Sequence, residues 1–156
     1  MNEKTWVCDT CGEAIQRVEN GWVEWLVKDN GNRKFVGHGL RLVHHQPASP
    51  RDPRGSCQYD GDKEFLNDGS TINDNALGSF LGADGLMELP SFLADDKIAK
   101  DEVLEMIKRL HIPGYEHARF RFDEAISRGV FEPNTMPGYY WQSDIDAVLR
   151  FIEQEH

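Results

Sequence analysis

The chain has 156 residues and a formal net charge of −10 at pH 7, with 39% hydrophobic, 28% charged and 10% aromatic residues. That mixture can bury a core and excludes a disordered chain, and the length suits one ordinary domain or a small stapled module joined to a second compact part. No apolar run is long enough to span a membrane and Met1–Thr5 carries no signal pattern, so a cytoplasmic protein without membrane association is expected.

In chain order, Trp6-Val7 reads as a short strand running into Cys8-Asp9-Thr10-Cys11-Gly12. Two intervening residues let both thiolates converge on one ion, and the glycine lets the backbone turn with positive φ. Gly21–Val27 and Phe35–His44 have strand composition and flank the turn-forming Asp29-Asn30-Gly31-Asn32, which predicts a β-hairpin. Period-2 alternation puts Val36, His38, Leu40, Leu42 and His44 on one face of the second strand, with Arg41, Val43 and His45 on the other.

Three cysteines cannot all pair with one another inside one chain, so metal ligation accounts for them better than disulfides do. Cys57 follows a loop rich in proline and arginine, and a histidine at the strand end completes the set. The expected ligands are Cys8, Cys11, His44 and Cys57, with His45 as the alternative to His44, holding one zinc ion. His44 is preferred because it shares the more apolar face. Four protein ligands leave no open position for water, so the ion is expected to be structural. A redox Cys-x-x-Cys would require a following helix in a βαβ pattern, and here a hairpin follows.

The Cys-x-x-Cys-Gly turn resembles a zinc knuckle or zinc ribbon. Joined to Val43-His44-His45-Gln46-Pro47 it is also similar to the start of an HNH nuclease, a resemblance that implies metal-assisted cleavage beside a structural zinc. It extends over residues 8–57 only, and the second Cys-x-x-Cys usual in such proteins is replaced by Cys57-Gln58-Tyr59-Asp60.

Charge is unevenly spread. Lys28, Arg33, Lys34, Arg41, Arg51 and Arg54 form a basic stretch against only Asp29 and Asp52, and can face an anionic partner. Residues 62–99 carry 2 Lys/Arg against 8 Asp/Glu and read as an acidic connecting segment with short helices. Residues 67–79 are turn-forming at their start and suit a short helix at their end. Asp68 and Asp74 lack the spacing of a calcium loop. Leu86-Met87-Glu88-Leu89 and Pro90-Ser91-Phe92-Leu93 read as a helix or two short turns.

From Asp101, Val103, Leu104, Ile107 and Leu110 recur at helical spacing until Pro113-Gly114. A second helix is predicted from about Tyr115 to Ser127, ended by Arg128-Gly129, and a last one from a Ser143-Asp144 cap with Ile145, Val148, Leu149 and Ile152 inward. The order helix, turn, helix, Gly129-Val130-Phe131-Glu132-Pro133, aromatic Tyr139-Tyr140-Trp141 and capped helix resembles a winged helix-turn-helix of the MerR kind. That resemblance implies a reading helix bearing Arg119 and Arg121 and a hairpin wing over Pro137–Trp141. A compact helical bundle with an aromatic core is the rival reading.

The expected class is thus α+β: a zinc-stapled antiparallel β module over residues 1–61, the connecting segment over 62–99 and a helical, helix-turn-helix-like part over 100–156. The expected function is that of a non-enzymatic binding or regulatory module of a bacterial or phage kind. Its partner is a protein or nucleic acid held by Lys28, Arg33, Lys34, Arg41, Arg51, Arg54, Arg119 and Arg121; no catalytic residue is assigned, and HNH-like nuclease activity is the alternative.

Overall fold

The computed structural model describes residues 4–29, 31, 35–51 and 56–155. The fold is α+β, and it divides into two compact units, Met1–Leu110 and His111–His156. The acidic segment 62–99 and the helix that follows it therefore lie within the first unit. Among the described residues no helix is long and apolar enough to cross a membrane.

The first unit is built on a three-stranded antiparallel sheet. Aromatic and β-branched residues set strands β3 (Gly21–Asp29) and β4 (Phe35–His44), which pair as expected from Gly21↔His44 to Asp29↔Phe35. Asn30 and Asn32 of the predicted turn, with Arg33, Lys34 and Arg54, lie outside the described residues. Two two-residue strands precede the hairpin, β1 (Trp6–Val7) and β2 (Ala14–Ile15), paired to each other around the Cys-x-x-Cys turn.

The pairing of β3 with β4 slips between Glu24 and Leu26: Glu24 faces Arg41, but Leu26 faces His38. Gly39 and Leu40 thus both oppose Trp25, a bulge made possible by Gly39 at φ 68°. The extra residue inverts the alternation along β4. Leu42 and His44 share the face of Val23, whereas His38 and Val36 share that of Glu24 with Arg41 and Val43. The uninterrupted alternation expected from the sequence, with His38 and His44 on one face, therefore holds only on either side of the bulge.

Helix α1 (Gly61–Asp68) follows Cys57 and buries none of its residues. Its ends hold it: the Asp60 carboxylate accepts from the amides of Asp62 and Lys63, and Gly69 closes the other end at φ 80°. Residues Thr71–Ala76 then form β5, antiparallel to β3, so that β3 is central in the order β4-β3-β5. No strand was expected there: the turn-forming start of residues 67–79 is the close of α1 at Gly69, and the short helix expected at the end is a single turn over Leu77–Phe80. The Thr-Ile-Asn-Asp-Asn-Ala composition of β5 is turn-like because it is an edge strand with mostly exposed side chains, and its order comes from pairing with β3.

The apolar face of the sheet is covered by helix α2 (Gly82–Ala94), a single helix that contains Pro90, and by α3 (Lys100–His111). Trp25 meets Phe80 and Phe92 at ring distances of 6.4 and 5.2 Å, over a core that includes Val23, Leu42, Leu77, Leu89, Val103, Met106 and Leu110. Along α3, Val103, Met106 and Leu110 recur at the spacing of one helical stripe.

In the second unit, the single helix expected over Tyr115–Ser127 is two: α4 (Tyr115–Ala118) and α5 (Phe122–Ser127). In a continuous helix Tyr115 and Phe122 would stand about 10 Å apart along the axis. The break at Arg119–Arg121 brings their rings to 5.6 Å, and Phe122 also meets Tyr140 at 4.6 Å. Aromatic packing therefore overrides helix continuation. No strand is found among residues 128–141, where a hairpin was expected. The last helix, α6 (Gln142–Gln154), begins one residue before Ser143: Trp141 takes the cap position without a side-chain cap bond, and Gln142 Nε2 donates to the Pro113 carbonyl at 2.7 Å. Ile145 and Val148 are buried against Tyr115, Ala118, Phe122 and Ala125.

Candidate metal centre

Cys8 directly follows β1, Cys11 closes the tight turn after it, His44 ends β4, and Cys57 arrives by the loop before α1. One ligand atom from each lies within 4.8 Å of all the others, and these four form the one such cluster among the described residues. Nδ1 of His44 is 3.5 Å from Cys11 Sγ and 3.8 Å from Cys57 Sγ. A tetrahedral ion with metal–sulfur bonds of about 2.3 Å and metal–nitrogen bonds of about 2.0 Å needs ligand edges of roughly 3.5–3.8 Å. The donor set and its spacing therefore fit a metal ion. No two of the cysteines are joined in a disulfide.

The surroundings hold these donors in place. Gly12, at φ 78°, donates its amide to the Cys8 carbonyl at 3.0 Å and turns the chain. The amides of Thr10 and Glu13 point at Cys8 Sγ and Cys11 Sγ at 3.4 and 3.5 Å, an arrangement that suits thiolates. Thr10 Oγ1 donates to the Cys57 carbonyl at 2.6 Å, tying the turn to the incoming loop, and Ser49 Oγ lies 3.1 Å from Cys57 Sγ. Behind His44, Nε2 is 3.0 Å from the Ala14 carbonyl.

Electrostatics differ among the sulfurs. Burial alone raises the Cys8 thiol, but backbone groups of Cys11, His44 and Thr10 and the His44 ring outweigh it and hold the thiol at about 7, below the usual 9.0. Burial pushes Cys11 up to about 12, opposed by the Glu13 amide and reinforced by the sulfurs of Cys8 and Cys57. Crowded sulfurs that resist joint ionisation are what a cation resolves.

Of the two histidines, His44 is the one in the cluster. His45 turns away and stacks on Trp22 with ring centroids 4.7 Å apart and planes 19° apart. His38, carried to the other face by the bulge, lies 3.4 Å from Ser70 Oγ.

The described residues among those expected to form a basic surface differ in their surroundings. Arg41 points inward: Nε donates to the fully buried Glu24 carboxylate at 2.7 Å, Nη2 donates to the Cys57 carbonyl at 3.1 Å, and the guanidinium lies 3.5 Å from the Tyr59 ring centroid. Both Glu24 oxygens also accept from the Tyr59 amide, at 3.1 and 3.0 Å. Burial raises the Glu24 carboxyl above its usual 4.5, against the pull of Arg41. Lys28 lies 3.9 Å from Asp68, and Arg51 is exposed. In the second unit Arg121 is bonded to Glu124 and Glu155, and Arg119 lies over the Phe120 ring at 4.6 Å.

Glu24 and Asp9 are the residues near the centre that sequence reasoning does not single out. The signal for Asp9 was its place inside the Cys-x-x-Cys turn; Glu24 gave none, since a lone acid in an apolar strand reads as a solvent-facing residue. Comparison with models of known families, with curated proteins and with solved structures gives no match to the chain.

Proposed function

We propose that this chain binds one structural zinc ion through Cys8, Cys11, His44 and Cys57, and that the zinc-stapled module serves to hold a partner protein. The observation that carries the reading is the convergence of three sulfurs and one imidazole nitrogen within 4.8 Å. The set is closed, which suits a structural ion rather than a catalytic one. β1 and β2 have two residues each and anchor the segment to the core through Trp6 and Ile15, and the turn between them gains further order from metal ligation.

A protein partner is favoured over nucleic acid on electrostatic grounds. The chain carries a net charge of −10, and Arg41 and Arg121, two of the expected basic contacts, are engaged by Glu24 and by Glu124 with Glu155. The nuclease alternative requires a histidine beside an open metal position, whereas His45 lies against Trp22.

The test is metal analysis of the purified protein together with cobalt substitution. One equivalent of zinc is expected, replaceable by cobalt with the absorption of a tetrahedral thiolate site, and Cys8→Ser abolishes both. Unchanged zinc content in Cys8→Ser overturns the assignment. Titration of a labelled DNA duplex at two salt concentrations separates the partner classes: tight, salt-sensitive binding would favour nucleic acid.

A further inference from the structure

Asp9 stands inside the Cys-x-x-Cys turn and is fixed on two sides. Its amide donates to the Leu42 carbonyl at 2.8 Å, and its Oδ2 accepts from the Leu42 amide, also at 2.8 Å. Leu42 is two residues before His44, so this pair of bonds sets the spacing between the turn sulfurs and the imidazole. The same oxygen accepts from Nη1 of Arg109 at 2.7 Å. Arg109 is only 4% exposed and lies in the last turn of α3, and its Nη2 donates to the Val7 carbonyl at 3.1 Å. One residue on, the Leu110 carbonyl accepts from Lys4 Nζ at 3.1 Å. Three side-chain contacts therefore link β1, the turn after it and Lys4 before it to a single turn of helix at least 100 residues later in the chain.

We propose that Arg109 is a positioning residue for the metal centre, acting through Asp9, and that metal occupancy in return orders the last turn of α3. This rests on the zinc reading above and goes beyond it. A buried guanidinium requires an acceptor, so Arg109 holds Asp9 in one place, and Asp9 holds the turn against β4. Groups that orient metal ligands in this way typically change affinity by about 10–100-fold when removed. Coupling is reciprocal: if Arg109 strengthens zinc binding, zinc binding strengthens the hold on Arg109. Without the ion the turn loosens, and the last turn of α3 loses its fixed carboxylate.

The experiment uses the full chain and zinc itself. Zinc affinity is measured by competition with a chromogenic chelator for the wild type, Asp9→Asn, Arg109→Met and Arg109→Lys, and for Leu89→Val as a core change away from the turn. Asp9→Asn and Arg109→Met are expected to weaken binding by about 10–100-fold, Arg109→Lys to recover part of the loss, Leu89→Val to leave affinity unchanged, and the Asp9→Asn/Arg109→Met double variant to bind no more weakly than either single one. Hydrogen exchange over residues 106–110 is expected to slow on adding zinc to the wild type but not to Asp9→Asn. Wild-type affinity in both single variants, or exchange in that turn indifferent to zinc, overturns the inference alone. A wild type that binds no zinc overturns the metal reading as well.

Discussion

His44 Nε2 lies 3.0 Å from the Ala14 carbonyl oxygen, and since a carbonyl only accepts, that nitrogen is the donor and Nδ1 is the ring atom turned toward Cys11 and Cys57. The bond selects the tautomer a metal requires before any ion arrives. His44→Ala is therefore expected to remove the metal, and His45→Ala to leave it in place. Zinc content of the two purified variants checks this, and metal loss in His45→Ala alone would exchange their roles.

Acid should release the ion. Cys8 titrates at about 7 and Cys11 holds its proton up to about 12 in the metal-free cluster, so binding near neutral pH displaces at least one proton. Each displaced proton makes apparent affinity rise about tenfold per pH unit. Competition assays at pH 6 and pH 7 are expected to differ by at least that factor, with tighter binding at the higher pH.

The buried Glu24–Arg41 pair supplies a third prediction. Removing Arg41 strands a carboxylate with no exposure, and breaking such a pair costs about 3 kcal/mol. Arg41→Met should lose stability on that scale in denaturant unfolding. The folded-state pKa of Glu24 is raised, so its stabilising contribution is full below the ordinary 4.5 and is lost as pH rises through the folded value. Wild-type stability relative to Glu24→Gln should therefore fall from pH 4 to pH 8. A difference independent of pH would show that burial does not perturb this carboxyl.

At the bulge, Gly39 adopts φ 68° and a Cβ placed there would lie 2.6 Å from Tyr59 Oη, which donates to the Gly39 carbonyl at 2.8 Å. Gly39→Ala combines left-handed strain with displacement of that hydroxyl, and a loss of about 1–2 kcal/mol is expected on the strain alone. Urea unfolding of the variant measures it.

The four residues of the cluster were legible because each carries its own signal: a Cys-x-x-Cys-Gly turn, a third cysteine and a histidine at a strand end. The hairpin and α3 were legible through composition and period. What escaped depends on distant partners. β5 gives no strand signal of its own until β3 is beside it, and one positive-φ glycine reverses which residues of β4 share a face. Arg41 counts as surface charge until Glu24, 17 residues away, is found beneath it. The helix expected from Tyr115 to Ser127 breaks because ring contacts with Tyr140, far downstream, outweigh its periodicity.

Helix α1 buries none of its residues and is held chiefly at its two ends, with light contact to the sheet through β5 and the Lys28–Asp68 pair. It connects Cys57, fixed in the cluster, to Thr71, fixed in the sheet, and each anchor is secured by forces that do not pass through the helix. Unwinding it would simply add slack between two moored points. The segment is thus free to fray first on warming while the centre and the edge strand stay where they are.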